Sequence, residues 1–128
     1  MGISVVQLGR ERAPDEGTRI GTVRRPPRGV PKGEFGIRNY YDVWLPVLSP
    51  SAELMVKGKS ADSELDWAKF VKAYRAEMTG GQAEKVLDLL VAFSKTTNFS
   101  VGCYCENEKR CHRSILHELF VERGALMR

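Results

Sequence analysis

Long hydrophobic runs are missing from this chain. The longest, Leu89-Leu90-Val91-Ala92-Phe93, falls far short of the roughly 20 apolar residues a helix needs to cross a bilayer, which excludes a membrane-spanning helix. The opening residues Met1-Gly2-Ile3-Ser4-Val5-Val6 lack the basic segment and long apolar core of a secretory leader. Val6 stands where an N-myristoylation site carries Ser or Thr, so the expectation is a cytoplasmic protein. Cysteine is scarce, with three residues and no Cys-x-x-Cys; this argues against a disulfide scaffold and against a thioredoxin-like redox motif. The depletion of apolar residues that marks disorder is also absent. With 42% hydrophobic and 28% charged residues, the 128-residue chain has the composition and length of one folded domain, taken as 1–128.

Acidic residues are lacking from one stretch in particular. Arg19, Arg24, Arg25, Arg28, Lys32 and Arg38 are accompanied between positions 19 and 38 by Glu34 alone. Residues 1–41 hold eight basic and four acidic side chains, so the whole net charge of +4 lies in the first third of the chain. Arginine's planar fork suits phosphate and carboxylate better than a lysine point charge does. The stretch reads as a solvated loop or as a site for an anion: a phosphate-bearing small molecule or a nucleic acid.

Apolar periodicity outlines the remainder. Ile3–Leu8 and Arg19–Val23 read as strands. Pro26-Pro27, Gly29, Pro31 and Gly33 forbid regular structure after the second of these strands, because proline lacks an amide donor and glycine frees the backbone. Tyr40–Leu48 reads as an extended or irregular packing strip interrupted by Pro46. A short helix is expected from Pro50 toward Lys57 with Ser49 as its N-cap. Asp62 or Ser63 caps a helix over Glu64–Met78, whose Trp67, Phe70, Val71, Tyr74 and Met78 form one stripe. After Gly80-Gly81, Gln82–Lys95 reads as a helix burying Val86, Leu89, Leu90 and Phe93. A strand over Phe99–Tyr104 and a helix over His112–Arg123, with Ile115, Leu116, Leu119 and Phe120 inward and Gly124 at its end, complete the pattern. The order predicts an α/β fold: a single small domain with a short, largely parallel sheet flanked by helices.

The segment Gly102-Cys103-Tyr104-Cys105-Glu106-Asn107-Glu108-Lys109-Arg110-Cys111-His112-Arg113-Ser114 holds all three cysteines and one of the two histidines. It runs from a strand end through a loop to a helix start, where parallel sheets collect ligands and uncapped amides attract anions. Three chemistries compete for it. A metal would recruit Cys103, Cys105, Cys111 and His112. The spacing is not that of a ribbon or finger, however, and adjacent helical residues diverge by about 100°, so no metal and no cofactor are expected. A redox pair would join Cys105 to Cys111, with Cys103 a buried small hydrophobe. A phosphatase-like cradle needs arginine where Cys111 stands, and that mechanism fails for this sequence. The candidate catalytic residues are therefore Cys105 or Cys111 as nucleophile, with Glu106 or His112 moving protons. Arg19, Arg24, Arg28 and Arg113 are the candidate ligand-binding residues.

Cys105-Glu106 followed by Cys111-His112-Arg113, together with Gly17-Thr18-Arg19, Arg25-Pro26-Pro27-Arg28-Gly29-Val30, Leu48-Ser49-Pro50-Ser51-Ala52-Glu53-Leu54 and Phe70-Val71-Lys72-Ala73-Tyr74-Arg75-Ala76-Glu77-Met78, resemble the YeaO-like proteins of the domain-of-unknown-function family four-eight-eight. The resemblance runs from about residue 17 to residue 124. It implies a small bacterial or archaeal cytosolic α/β protein and no established activity. One departure stands out: the family's Trp-Pro-Arg-Gly element has Pro26 or Pro27 in place of tryptophan. Binding of an anionic, phosphate-bearing small ligand between the basic loop and the Cys/His/Arg loop, with or without thiol chemistry, is the expectation. A nucleic-acid-binding accessory role and a structural or protein-interaction role are the alternatives.

Overall fold

Four short strands, β1 (Gly2–Gln7), β2 (Thr18–Gly21), β3 (Val43–Trp44) and β4 (Asn98–Cys103), pair in parallel in the order β1-β4-β2-β3. The computed structural model describes residues 1–105 and 110–128. Strand β4 lies between β1 and β2 and is buried over almost its whole length, as a strand covered on both faces must be. The chain thus adopts the expected α/β architecture.

Alternation along the strands sorts the two faces. Ile3, Ile20, Phe99 and Val101 join the main core with Leu48, Tyr74, Leu87, Leu116 and Phe120. That core is closed by α1 (Ala52–Lys59), α2 (Glu64–Met78), α3 (Gly81–Ser94) and α4 (His112–Glu122). The opposite face carries Arg19 and Ser100, which are register partners, and meets the segment that joins β1 to β2. Glu16 of that segment accepts from Arg19 Nε at 2.7 Å and Arg19 Nη2 at 2.9 Å, and from Ser100 Oγ at 2.5 Å. Arg19 Nη1 donates to the carbonyls of Arg10 and Asn39, both at 2.7 Å. Burial alone would raise the pKa of Glu16, but the hydrogen bonds from Arg19, Ser100 and the Ala13 amide, with the Arg19 charge, hold it at about 2.

Three local expectations are corrected. Ser51, not Ser49, caps α1, accepting from the Leu54 amide. Ser49 is spent on the preceding 3-10 turn Pro46–Leu48, its Oγ donating to Pro46 O at 2.6 Å. In α3 the buried face is Ala83, Leu87, Leu90, Val91 and Ser94, while Leu89 and Phe93 are 52% and 49% exposed. An aliphatic helix offers more than one apolar stripe, and packing against the sheet selected the one that includes Leu87. Strand β2 stops at Gly21: the Thr22 amide still donates to Gly102 O of β4, but the Thr22 carbonyl turns to His112 at the start of α4.

Gly102 permits the close approach of β1 to β4. A Cβ there would lie 2.6 Å from Val6 O, 2.9 Å from Val6 Cγ2 and 3.0 Å from Leu8 Cδ2. Its carbonyl accepts from both the Thr22 amide and Thr22 Oγ1, each at 3.0 Å.

Candidate functional site

The carboxyl ends of β2 and β4 and the first turn of α4 meet at one place. Cys103 closes β4, Tyr104 and Cys105 follow, and the chain enters α4 through Cys111. Cys111 is the N-cap residue and has extended dihedrals, φ −129° and ψ 148°, with no side-chain capping bond. The Ser114 amide turns back to Cys111 O at 3.1 Å, and the His112 and Arg113 amides of the first turn are left for other partners.

His112 is held in one orientation. Its Nε2 lies 2.6 Å from Thr22 O; a carbonyl only accepts, so Nε2 carries the proton and Nδ1 keeps a lone pair. Thr22 is itself tied to Gly102, and the Tyr74 ring stands edge-on to the imidazole at 5.7 Å. Burial pulls the His112 pKa down to about 4, against the bond to Thr22, which raises it, and with the charge of Arg113, which lowers it further. A buried, neutral imidazole of fixed tautomer is a poor shuttle for solvent protons and a good lone-pair donor.

The cysteines are arranged otherwise than expected. Cys103 and Cys111 are 1% and 2% exposed and their sulfurs face each other, so the partner of Cys111 is Cys103 and not Cys105. Strand alternation ends at Cys103, and the bend at Tyr104 sends Cys105 outward. The Cα atoms of Cys103 and Cys111 are 7.8 Å apart, beyond the roughly 4.4–6.8 Å at which a disulfide closes without backbone movement. Cys111 Sγ is also 3.8 Å from His112 Nδ1. The 100° divergence expected of two helical neighbours does not apply, because Cys111 is extended. Cys103 Sγ, Cys111 Sγ and a His112 ring nitrogen lie within 4.8 Å of one another.

Cys105 is the exposed thiol. Partial burial of its sulfur pushes its pKa up, opposed by the charge of Arg113, its own amide and Lys59. Iodoacetamide is therefore expected to label Cys105 alone in the native protein, more slowly at pH 7 than a free thiol and faster as pH rises. Peptide mass mapping after a timed quench checks this, and labelling of Cys103 or Cys111 at a similar rate would contradict it.

The arginines near the site differ in what engages them. Arg113, in the first turn of α4, is only 5% exposed, and its Nε has no hydrogen-bond partner among the described residues. Arg110 donates through Nη2 to Glu64 at 3.3 Å and lies over the Trp67 ring, 5.4 Å from the centroid, while its Nη1 also has no partner among the described residues. Arg19 is removed from the candidate ligand-binding residues: it is 1% exposed and its guanidinium is spent on Glu16, Arg10 and Asn39. Arg24 and Arg28 are exposed. Arg24 lines an open cleft of about 400 Å³ with Ser49, Ser51, Glu77 and Gln82, and the Glu77 carboxylate weighs against an anion there.

The basic loop and the Cys/His/Arg loop touch at their roots. Tyr104 Oη donates to Arg25 O at 2.9 Å, and His112 reaches Thr22. The structure thus brings together Thr22–Arg25, Tyr104, Cys105, Cys111, His112 and Arg113, while Arg28 remains on the exposed part of its loop. Glu106 lies outside the described residues. Sequence reasoning missed Thr22, which acts through a main-chain carbonyl and so leaves no side-chain signature, and it undervalued Cys103. The placement of Cys103 at the very end of a strand was the available signal.

A family model described as the active DUF488-N3 subclade matches residues 3–124. No curated protein and no solved structure matches the chain.

Proposed function

The chain belongs to the DUF488 family, matching the model of its active DUF488-N3 subclade, and from that premise we propose that it binds an anionic, phosphate-bearing small ligand at the carboxyl edge of its sheet. Arg113 is the anchor, the first turn of α4 supplies the His112 and Arg113 amides, and Arg24 and Arg28 on the neighbouring loop contribute positive field. The observation that carries this reading is the Arg113 guanidinium: it is buried, with Nε unpartnered among the described residues. Burying such a charge costs several kcal/mol unless an opposite charge and hydrogen bonds compensate. A phosphate supplies both, and the amides at a helix start are aimed at the same group.

Within this reading Cys105 is the thiol positioned to meet the ligand, and His112 positions the site and does not carry protons. The family description names no reaction, and the proposal is one of binding.

Pyrophosphate at ten times its dissociation constant is expected to stabilise the protein by about 1.4 kcal/mol, a rise in Tm of roughly 3–7 °C for a domain of this size. Arg113→Lys keeps the charge and loses the fork, so its Tm is expected to respond by less than half as much at the same ionic strength. Equal responses in the two proteins would refute the anchor. Exposed Arg24, Arg25, Arg28 and Lys32 define the competing outcome: retention of an oligonucleotide that weakens steeply with salt and is indifferent to Arg113→Lys would replace a small ligand with nucleic acid.

A further inference from the structure

We propose that Cys103, Cys111 and His112 form a zinc(II) site, with the two sulfurs bound as thiolates, the imidazole bound through Nδ1, and a fourth position taken by an exogenous ligand. This does not rest on the anion-binding reading, since none of the three residues anchors the phosphate.

Four features of the structure converge on it. The three ligand atoms lie within 4.8 Å of one another, and all three residues are buried. The spacing of Cys111 Sγ from His112 Nδ1, 3.8 Å, is close to the edge of a zinc tetrahedron: bonds of about 2.3 Å to sulfur and 2.0 Å to nitrogen separate ligand atoms by roughly 3.5–3.8 Å. The bond from Nε2 to Thr22 O directs the Nδ1 lone pair toward the sulfurs. A ring nitrogen donating to a backbone carbonyl is the usual partner arrangement of a metal-bound histidine. Finally, the 7.8 Å between the cysteine Cα atoms is too long for a relaxed disulfide. The two sulfurs are in contact here, and an ion enters between them once they part by side-chain rotation.

The charges balance. A dication with two thiolates and a neutral imidazole is electrically neutral, which suits a buried position. Binding converts two thiols into two zinc–sulfur bonds and releases two protons; no oxidant or reductant takes part.

The full chain, reduced with a phosphine and stripped with a chelator, would be titrated with zinc(II) against a chromophoric competitor in weak buffer. One equivalent bound, two protons released and a raised Tm are expected. Cobalt(II) should produce the thiolate-to-metal charge-transfer band of a sulfur-bound ion. Loss of a partner that merely orients a ligand costs roughly 10–100-fold in metal affinity, so Cys103→Ser and Cys111→Ser should each cost more than about 100-fold, and Cys105→Ser should change little. Should a serine variant fail to fold, the wild-type proton count and the cobalt spectrum still decide. Sub-stoichiometric zinc, fewer than two protons, absence of the charge-transfer band, or a Cys103–Cys111 disulfide that survives the reductant would overturn the site.

Discussion

Arg19→Met is expected to destabilise the protein by about 3–5 kcal/mol, lowering Tm by roughly 10–20 °C. The substitution leaves the Glu16 carboxylate buried beside Ser100 with its charged partner gone, and it also abandons the carbonyls of Arg10 and Asn39. An uncompensated buried charge is among the few single changes that reach this size. The double variant Glu16→Gln/Arg19→Met removes both charges and should recover part of the loss. Acid gives an independent readout. The folded-state pKa of Glu16 is lowered, from 4.5 to about 2, so its contribution is fully present above about pH 4.5 and is lost as pH falls toward 2. Urea melts from pH 6 down to pH 2 should show the wild type losing stability through that window more steeply than Glu16→Gln does. If Arg19→Met loses under 1 kcal/mol, the pair is not the structural centre that the geometry makes it.

Gly102→Ala is expected to cost about 3 kcal/mol, at the upper end of what an added methyl costs in a packed core. The new Cβ meets the main chain of β1 at Val6 O, 2.6 Å away, and the side chains of Val6 and Leu8. A backbone carbonyl in a paired strand cannot rotate aside as a side-chain tip would, so β1 and β4 must separate. The effect should reach the site as well, because Gly102 O holds Thr22 and Thr22 O holds His112. Chemical denaturation measures the first consequence, and alkylation of the otherwise buried Cys103 and Cys111 measures the second. Unchanged stability with unchanged cysteine protection would show that the strands have slack the distances deny.

Much of the fold was legible in the residues because its elements are defined locally. The α2 stripe of Phe70, Tyr74 and Met78 and the α4 stripe of Ile115, Leu116, Leu119 and Phe120 follow the helical period, and both stripes are buried. Leu89 and Phe93 misled for a different reason: α3 is apolar on two flanks, and periodicity does not say which flank meets the sheet. Ser49 was a plausible cap by residue type, yet a 3-10 turn claimed its hydroxyl. The segment carrying the candidate site was also legible, since cysteine, histidine and arginine crowd a strand-to-helix junction. Which cysteine faces which was not, because it depends on where alternation stops at the end of β4 and on the extended backbone of Cys111.

Taken alone, the residues determined an α/β chain without a membrane-spanning helix, a basic N-terminal third, and a strand-to-helix junction rich in ligand-type side chains. Those are properties of composition and local period. Only the packed structure decided that Arg19 serves the interior while Arg113 keeps an Nε unpartnered among the described residues, that Cys103 and not Cys105 meets Cys111, and that Thr22 sets the tautomer of His112. Thr22 and His112 are 90 positions apart and Arg19 reaches a carbonyl 20 positions away, while the cysteine pairing turns on where β4 ends and on the extended backbone of Cys111. Such arrangements are fixed by the closure of the sheet against its helices.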